Sequence, residues 1–110
     1  MAYDEQLAER VRTVLGARDD VTERNMFGGI AFMLGGHMCC GVNGDDLMLR
    51  LGDDAAEDAL ADPHTRPMDF TGRPMKGFVY VSSEGTGTAA ALRRWIARAA
   101  EHVSTLPPKT

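Results

Sequence analysis

Cysteine, positive charge and long apolar runs are all scarce in this chain, and each scarcity closes off a class of protein. Of 110 residues only Cys39 and Cys40 are cysteines, and they are neighbours. A disulfide between adjacent residues closes a strained eight-membered ring, so the pair is no staple across a fold, and reduced thiols suit the cytoplasm. No stretch approaches the ~20 apolar residues that span a bilayer, and the opening Met-Ala-Tyr-Asp-Glu lacks the basic and apolar regions of a secretory signal. A membrane location is not expected, and the cytoplasm is the expected compartment. Lys and Arg total 12 against 16 Asp and Glu, a formal net charge of -4. Direct nucleic-acid binding, which depends on clustered cations to displace phosphate counterions, is therefore not expected.

What is present describes one ordinary domain over residues 1–110. Hydrophobic residues at 44% and charged residues at 25% suit a chain of this size with a single two-layer core. Leu7, Val11, Val14 and Leu15 share one stripe and predict a helix over 4–16. Thr22 to Met26 can extend as a strand, bent at Gly28-Gly29. A meander follows: Ile30 to Leu34, a tight turn at Gly35-Gly36, His37 to Val42, a turn at Asn43-Gly44, and Leu47 to Leu51. Gly52-Asp53-Asp54 reads as the cap of a short helix that Asp62-Pro63 stops. Arg66 to Phe70 and Met75 to Val81 read as two more strands, with Pro67 and Pro74 at an edge or a strand end. Leu92, Trp95, Ile96, Ala99 and Val103 then mark a long last helix. The order α-βββ-α-ββ-α predicts an α+β two-layer sandwich, an antiparallel sheet of about five strands with helices on one face.

Few side chains point to chemistry. His37, Cys39 and Cys40 form the one cluster with metal-ligand or nucleophile character. On a regular strand His37 and Cys39 share one face while Cys40 joins Met38 and Val42 on the other, so only two ligands converge. No metal, cofactor or catalytic residue is expected. The glycine pairs precede strands and not a helix, which argues against a phosphate cradle. Asp53, Asp54, Glu57 and Asp58 fit a helix start better than a metal site. Arg50, Arg66, Arg73 and Lys76 form either an anion- or partner-binding patch, on the polar side of the sheet or around the Gly72 turn, or surface pairs with Asp45, Asp46, Asp53 or Asp69. Met33 and Met48 fall on the face the helices leave uncovered. Exposed there, they would favour a homodimer, since two such faces or edges can pair isologously.

Several motifs in order also carry a family resemblance. Met26-Phe27-Gly28-Gly29, Phe32, Met38-Cys39-Cys40-Gly41, Arg50, Pro63, Asp69-Phe70-Thr71-Gly72-Arg73-Pro74-Met75 and Leu106-Pro107-Pro108-Lys109 together resemble the N-terminal domain of the TfoX/Sxy family. The resemblance implies a stand-alone copy of a domain that, in regulators of bacterial competence, precedes a second, C-terminal one. Those regulators act with a cyclic-AMP receptor protein type activator at promoters. The expected role is thus a non-enzymatic regulatory module that contacts a protein partner, a transcription activator or a polymerase component. Its expected contact residues are Met26, Phe27, Gly28, Gly29, Arg50, Phe70, Gly72, Arg73, Pro74 and Lys76. The alternative is a redox sensor or small enzyme centred on Cys39 and Cys40, which as exposed vicinal thiols would meet oxidants.

Overall fold

The computed structural model describes residues 3–16, 18–26, 28–70 and 73–106, with Met26 and residues 69–70 and 73–75 described as strand backbone alone. The first apolar stripe forms α1, Glu5–Leu15, burying Leu7, Ala8, Val11 and Leu15. Asp4 starts it, its Oδ1 accepting from the N–H groups of Gln6 at 2.9 Å and Leu7 at 3.2 Å. Two of the donors that a helix start leaves unpaired are thereby satisfied. Four strands follow, β1 Val21–Met26, β2 Gly29–Leu34, β3 His37–Asn43 and β4 Asp46–Arg50. Helix α2, Asp53–Ala59, leads to the hairpin of β5 Thr65–Phe70 and β6 Arg73–Val81. A single 3-10 turn at Ser83–Thr86 then precedes α3, Ala89–Ser104. No described helix is long and apolar enough to cross a membrane.

The strands form one antiparallel sheet in the order β1-β2-β3-β4-β6-β5. The α+β class is the expected one, with six strands where the sequence pattern suggested about five. Residues 21–26 are a full member, paired with β2 one to one from Val21↔Leu34 to Met26↔Gly29. All three described helices pack on one face. There Ile30, Phe32, Val42, Leu49 and Val79 meet the stripes of α1 and α3 together with Ala56 and Ala59 of α2. Gly29 has a steric reason to be glycine: a Cβ on it would stand 2.0 Å from the carbonyl oxygen of Val42. Neither strand could stay in place around that atom.

A slip in the pairing of β2 and β3 decides where the cysteines point. Phe32 faces Cys40 and Met33 faces Met38, which leaves Cys39 as the extra residue of a bulge. A bulge resets the alternation of a strand. Cys39, Cys40 and Val42 accordingly all lie in the helix-side core, while Met38 lies on the opposite face. The strict alternation expected for 37–42, which placed Cys40 beside Met38 and away from Cys39, is corrected by this one inserted residue.

The other face of the sheet also differs from expectation. Reading across all six strands, Arg24, Ala31, Gly41, Met48, Tyr80 and Arg66 stand in one cross-strand row. Ala31, Met33, Met38, Met48, Met68 and Tyr80 form a second buried cluster whose members all come from strands. Met33 and Met48 do face away from the helices, yet they are 7% and 0% exposed. Small residues admit the large ones here: the methyl of Met48 lies 2.6 Å from where a Cβ on Gly41 would stand. Arginines lie over aromatic rings on this side, Arg66 4.6 Å from the Tyr80 centroid and Arg50 5.7 Å from that of Phe78. The expected exposed methionine face is absent from the described surface, and with it goes the reason for pairing two copies through that face.

Candidate functional site

The expected contact residues are only partly gathered, and the place where they gather is set by the junction of β4 and α2. Arg50 ends β4, opposite Phe78 of β6. The chain then crosses to α2 through Leu51 and Gly52, whose N–H groups both donate to the carbonyl oxygen of Gly77, at 2.8 and 3.2 Å. These bonds hold the start of α2 against β6. Gly52 sits at φ +87°, and a Cβ on it would stand 2.7 Å from the imidazole of His102 near the end of α3. Only a residue without a side chain lets the β4–α2 junction and that ring approach so closely.

A cavity of about 480 Å³ opens at this junction, lined by Arg50, Asp53, Asp54, Lys76, Phe78 and His102 along with the two glycines. A neighbouring cavity of about 520 Å³ shares Asp53, Asp54, Lys76 and Phe78 with it and continues past Glu57 and Leu60 to Pro67 and Met68. The two make one groove between α2 and the β5–β6 hairpin. Its walls are charged and its floor is apolar. The carboxylates of Asp53 and Asp54 do not make the capping bonds expected of them, because α2 begins at Asp53 and both residues lie inside the helix. Its N-cap is Gly52, and no side chain caps it.

The four cations that read in sequence as either a patch or surface pairs divide between the two. Arg50 and Lys76 share the groove, and among the described residues neither forms an ion pair, although two carboxylates line the same space. Arg66 lies elsewhere, its Nη2 donating to Asp46 Oδ2 at 2.5 Å, a bond that holds its guanidinium above the ordinary range. The side chains of Met26, Phe70, Arg73 and Pro74, and Phe27 and Gly72 altogether, lie outside the described residues. Gly28 and Gly29 sit at the end of the sheet away from Arg50, on the side of Asn43 and Asp46. Gly29 is explained there by its approach to β3. His102 and Leu60 were not anticipated. Each reads in sequence as an ordinary helix position, and only the packing of α2 and α3 around Gly52 and β6 brings them to the groove.

The cysteines have a different environment. Both are fully buried, and the hydrogen bond with the Cys39 thiol, followed by burial, pushes the Cys40 thiol well above its ordinary range. A thiol held protonated is a poor nucleophile. Among the described residues no three His, Cys, Asp or Glu side chains gather closely enough to hold a metal ion.

Comparison with known proteins agrees with the motifs. No curated protein matches the chain. A family model, the TfoX N-terminal domain, matches residues 13–103. That span runs from within α1 to the penultimate residue of α3 and takes in the whole sheet and the groove, and the chain belongs to the TfoX N-terminal domain family.

Proposed function

We propose that this domain is a non-enzymatic regulatory module that acts by protein contact, with the groove between α2 and β6 as its contact surface. Family membership supports the regulatory setting. The observation that carries the contact surface is that Arg50 and Lys76 form no ion pair among the described residues, in a groove that also holds Asp53 and Asp54. Elsewhere on this protein exposed charges within reach of one another do pair, as Arg66 does with Asp46 and Arg12 with Glu23. Charges without an ion-pair partner among the described residues, beside an apolar floor, are available to a partner protein. The thiol reading gains one feature from the bulge, which turns both sulfurs to the same side, but it needs access that full burial denies.

The expected partner is a transcription activator of the cyclic-AMP receptor type or RNA polymerase. The test is biolayer interferometry of the immobilised chain against each purified protein, with Arg50→Ala/Lys76→Ala as the paired variant. Binding to one of them, weakened about tenfold or more in the variant, supports the reading. Failure of both to bind, or binding indifferent to the substitutions, overturns it.

A further inference from the structure

Resting on the reading that the groove is a contact surface, we infer that its occupant is an extended segment of a partner polypeptide with a definite charge order. A basic residue lies along α2, an apolar side chain sits over Phe78 and Leu60, and an acidic residue reaches Arg50.

The charge order follows from the lining. The cavity nearest the end of β4 carries Arg50 and His102, the other carries Glu57, and Lys76, Asp53 and Asp54 lie in the shared stretch. Helix α2 has acidic residues at Asp53, Asp54, Glu57 and Asp58 and no basic residue in its last turn. Its carboxylates therefore lack a cation on their own helix, and none of them forms an ion pair among the described residues. A basic side chain laid along this wall meets several carboxylates at once, and an acidic one at the far end meets Arg50.

The apolar requirement follows from the floor. Leu60 is the one exposed large hydrophobic side chain among the described residues, at 38%, and it lines the same cavity as Pro67 and the half-buried Phe78. A side chain of Leu or Met size placed there would remove this apolar surface from water. The segment binds through side chains. Strand β5 forms that edge of the sheet, but Pro67 has no N–H and the register slips between Pro67 and Asp69, so it offers a poor ladder for an added strand. A nucleic acid is a worse fit, since Asp53, Asp54 and Glu57 would repel a phosphate backbone.

The test is selection from a phage library of random 12-residue peptides on the immobilised 110-residue chain, followed by fluorescence titration of the enriched peptides. Leu60→Glu and Glu57→Lys serve as variants, both at exposed positions and both checked for folding by circular dichroism. The expected peptides carry Lys or Arg, then an apolar residue, then Asp or Glu. They should lose about tenfold or more in affinity for each variant. Changing the peptide's basic residue to Glu should restore binding to Glu57→Lys. No enrichment over blank support, or peptides indifferent to both substitutions, overturns the inference. If the activator or polymerase binds in an Arg50-dependent manner while no peptide is selected, the inference fails and the contact reading stands. Groove-dependent peptides with neither large partner binding produce the reverse result.

Discussion

The buried cysteine pair makes the stability of this protein depend on alkaline pH in a way that one substitution can isolate. Cys40 is fully buried, and the Cys39 thiol beside it together with burial holds its proton in the folded state. In the unfolded chain the same thiol ionises near the ordinary value of about 8.5. The folded-state value is thus raised above the unfolded one for a group that is neutral when protonated. Below about pH 8.5 both states hold the proton, and Cys40 adds no pH dependence. Above it the unfolded state releases a proton that the folded state keeps, so stability falls as pH rises, by at most about 1.4 kcal/mol per unit. Integrated from pH 7 to pH 10, the loss from this one thiol is about 2 kcal/mol.

The assay is urea denaturation under reductant at pH 7, 8, 9 and 10, with wild type and Cys40→Ala in parallel. At pH 7 the substitution lowers stability by the small volume it removes, about 1 kcal/mol, and the two curves cross as the wild type loses stability at higher pH. The quantity of interest is the difference in slope. Tyrosines and lysines titrate in both proteins and cancel, leaving the wild type about 2 kcal/mol steeper over the range. Parallel curves would refute both the burial of the Cys40 proton and the case against a reactive thiol. A companion titration with Ellman's reagent should find no thiol reacting in native protein on the timescale at which denatured protein reacts completely.

Two further predictions concern the sheet. Met48→Ala should cost about 3 kcal/mol in the same denaturation assay, the price of emptying a closed core site, because Met48 is fully buried although no helix residue joins its cluster; a loss below about 1 kcal/mol would mean that this face is wet. The Arg12–Glu23 pair, joined through two contacts of 2.8 Å, should show a coupling of about 0.5–1 kcal/mol in a double-mutant cycle at pH 7. The modest value reflects side chains that are 35% and 38% exposed and screened by water. Arg12 holds the Glu23 carboxyl below its usual range, so the coupling is present above about pH 4.3 and declines as pH falls through the lower folded-state value. A coupling unchanged at acid pH would show that charge is not its source.

Much of this fold is legible in the sequence because its signals are local. The stripe of Leu7, Val11 and Leu15 needs only a period of 3.6 to announce α1, and Asp4 stands where a cap must stand. The double glycines at 28–29 and 35–36 mark the ends of β2 without reference to anything distant. What was misread depends on partners far along the chain. Alternation within 37–42 looks unbroken residue by residue, and the bulge exists only as a mismatch between that strand and β2. The burial of Met48 is likewise not a property of its own strand, since it depends on Gly41 and Ala31 leaving room on two others.

The groove lies at the far end of this scale, and its residues are only half legible in the sequence. Arg50 and Lys76 stand out in the sequence as cations near family motifs, but 25 positions separate them, and nothing between them says that they share a space. They meet because β4 pairs with β6 and not with β5, which sets Arg50 opposite Phe78, two residues from Lys76. Asp53 and Asp54 read as helix-start residues, and by position they are. Gly52 takes the N-cap without a side chain to offer, and Asp53 and Asp54 stay exposed with no cap bond to make. The same glycine admits the ring of His102, fifty residues later, to the rim. One residue with no side chain therefore fixes three features of the site at once, so Gly52→Ala would disturb the groove more than any single change to the charges that line it.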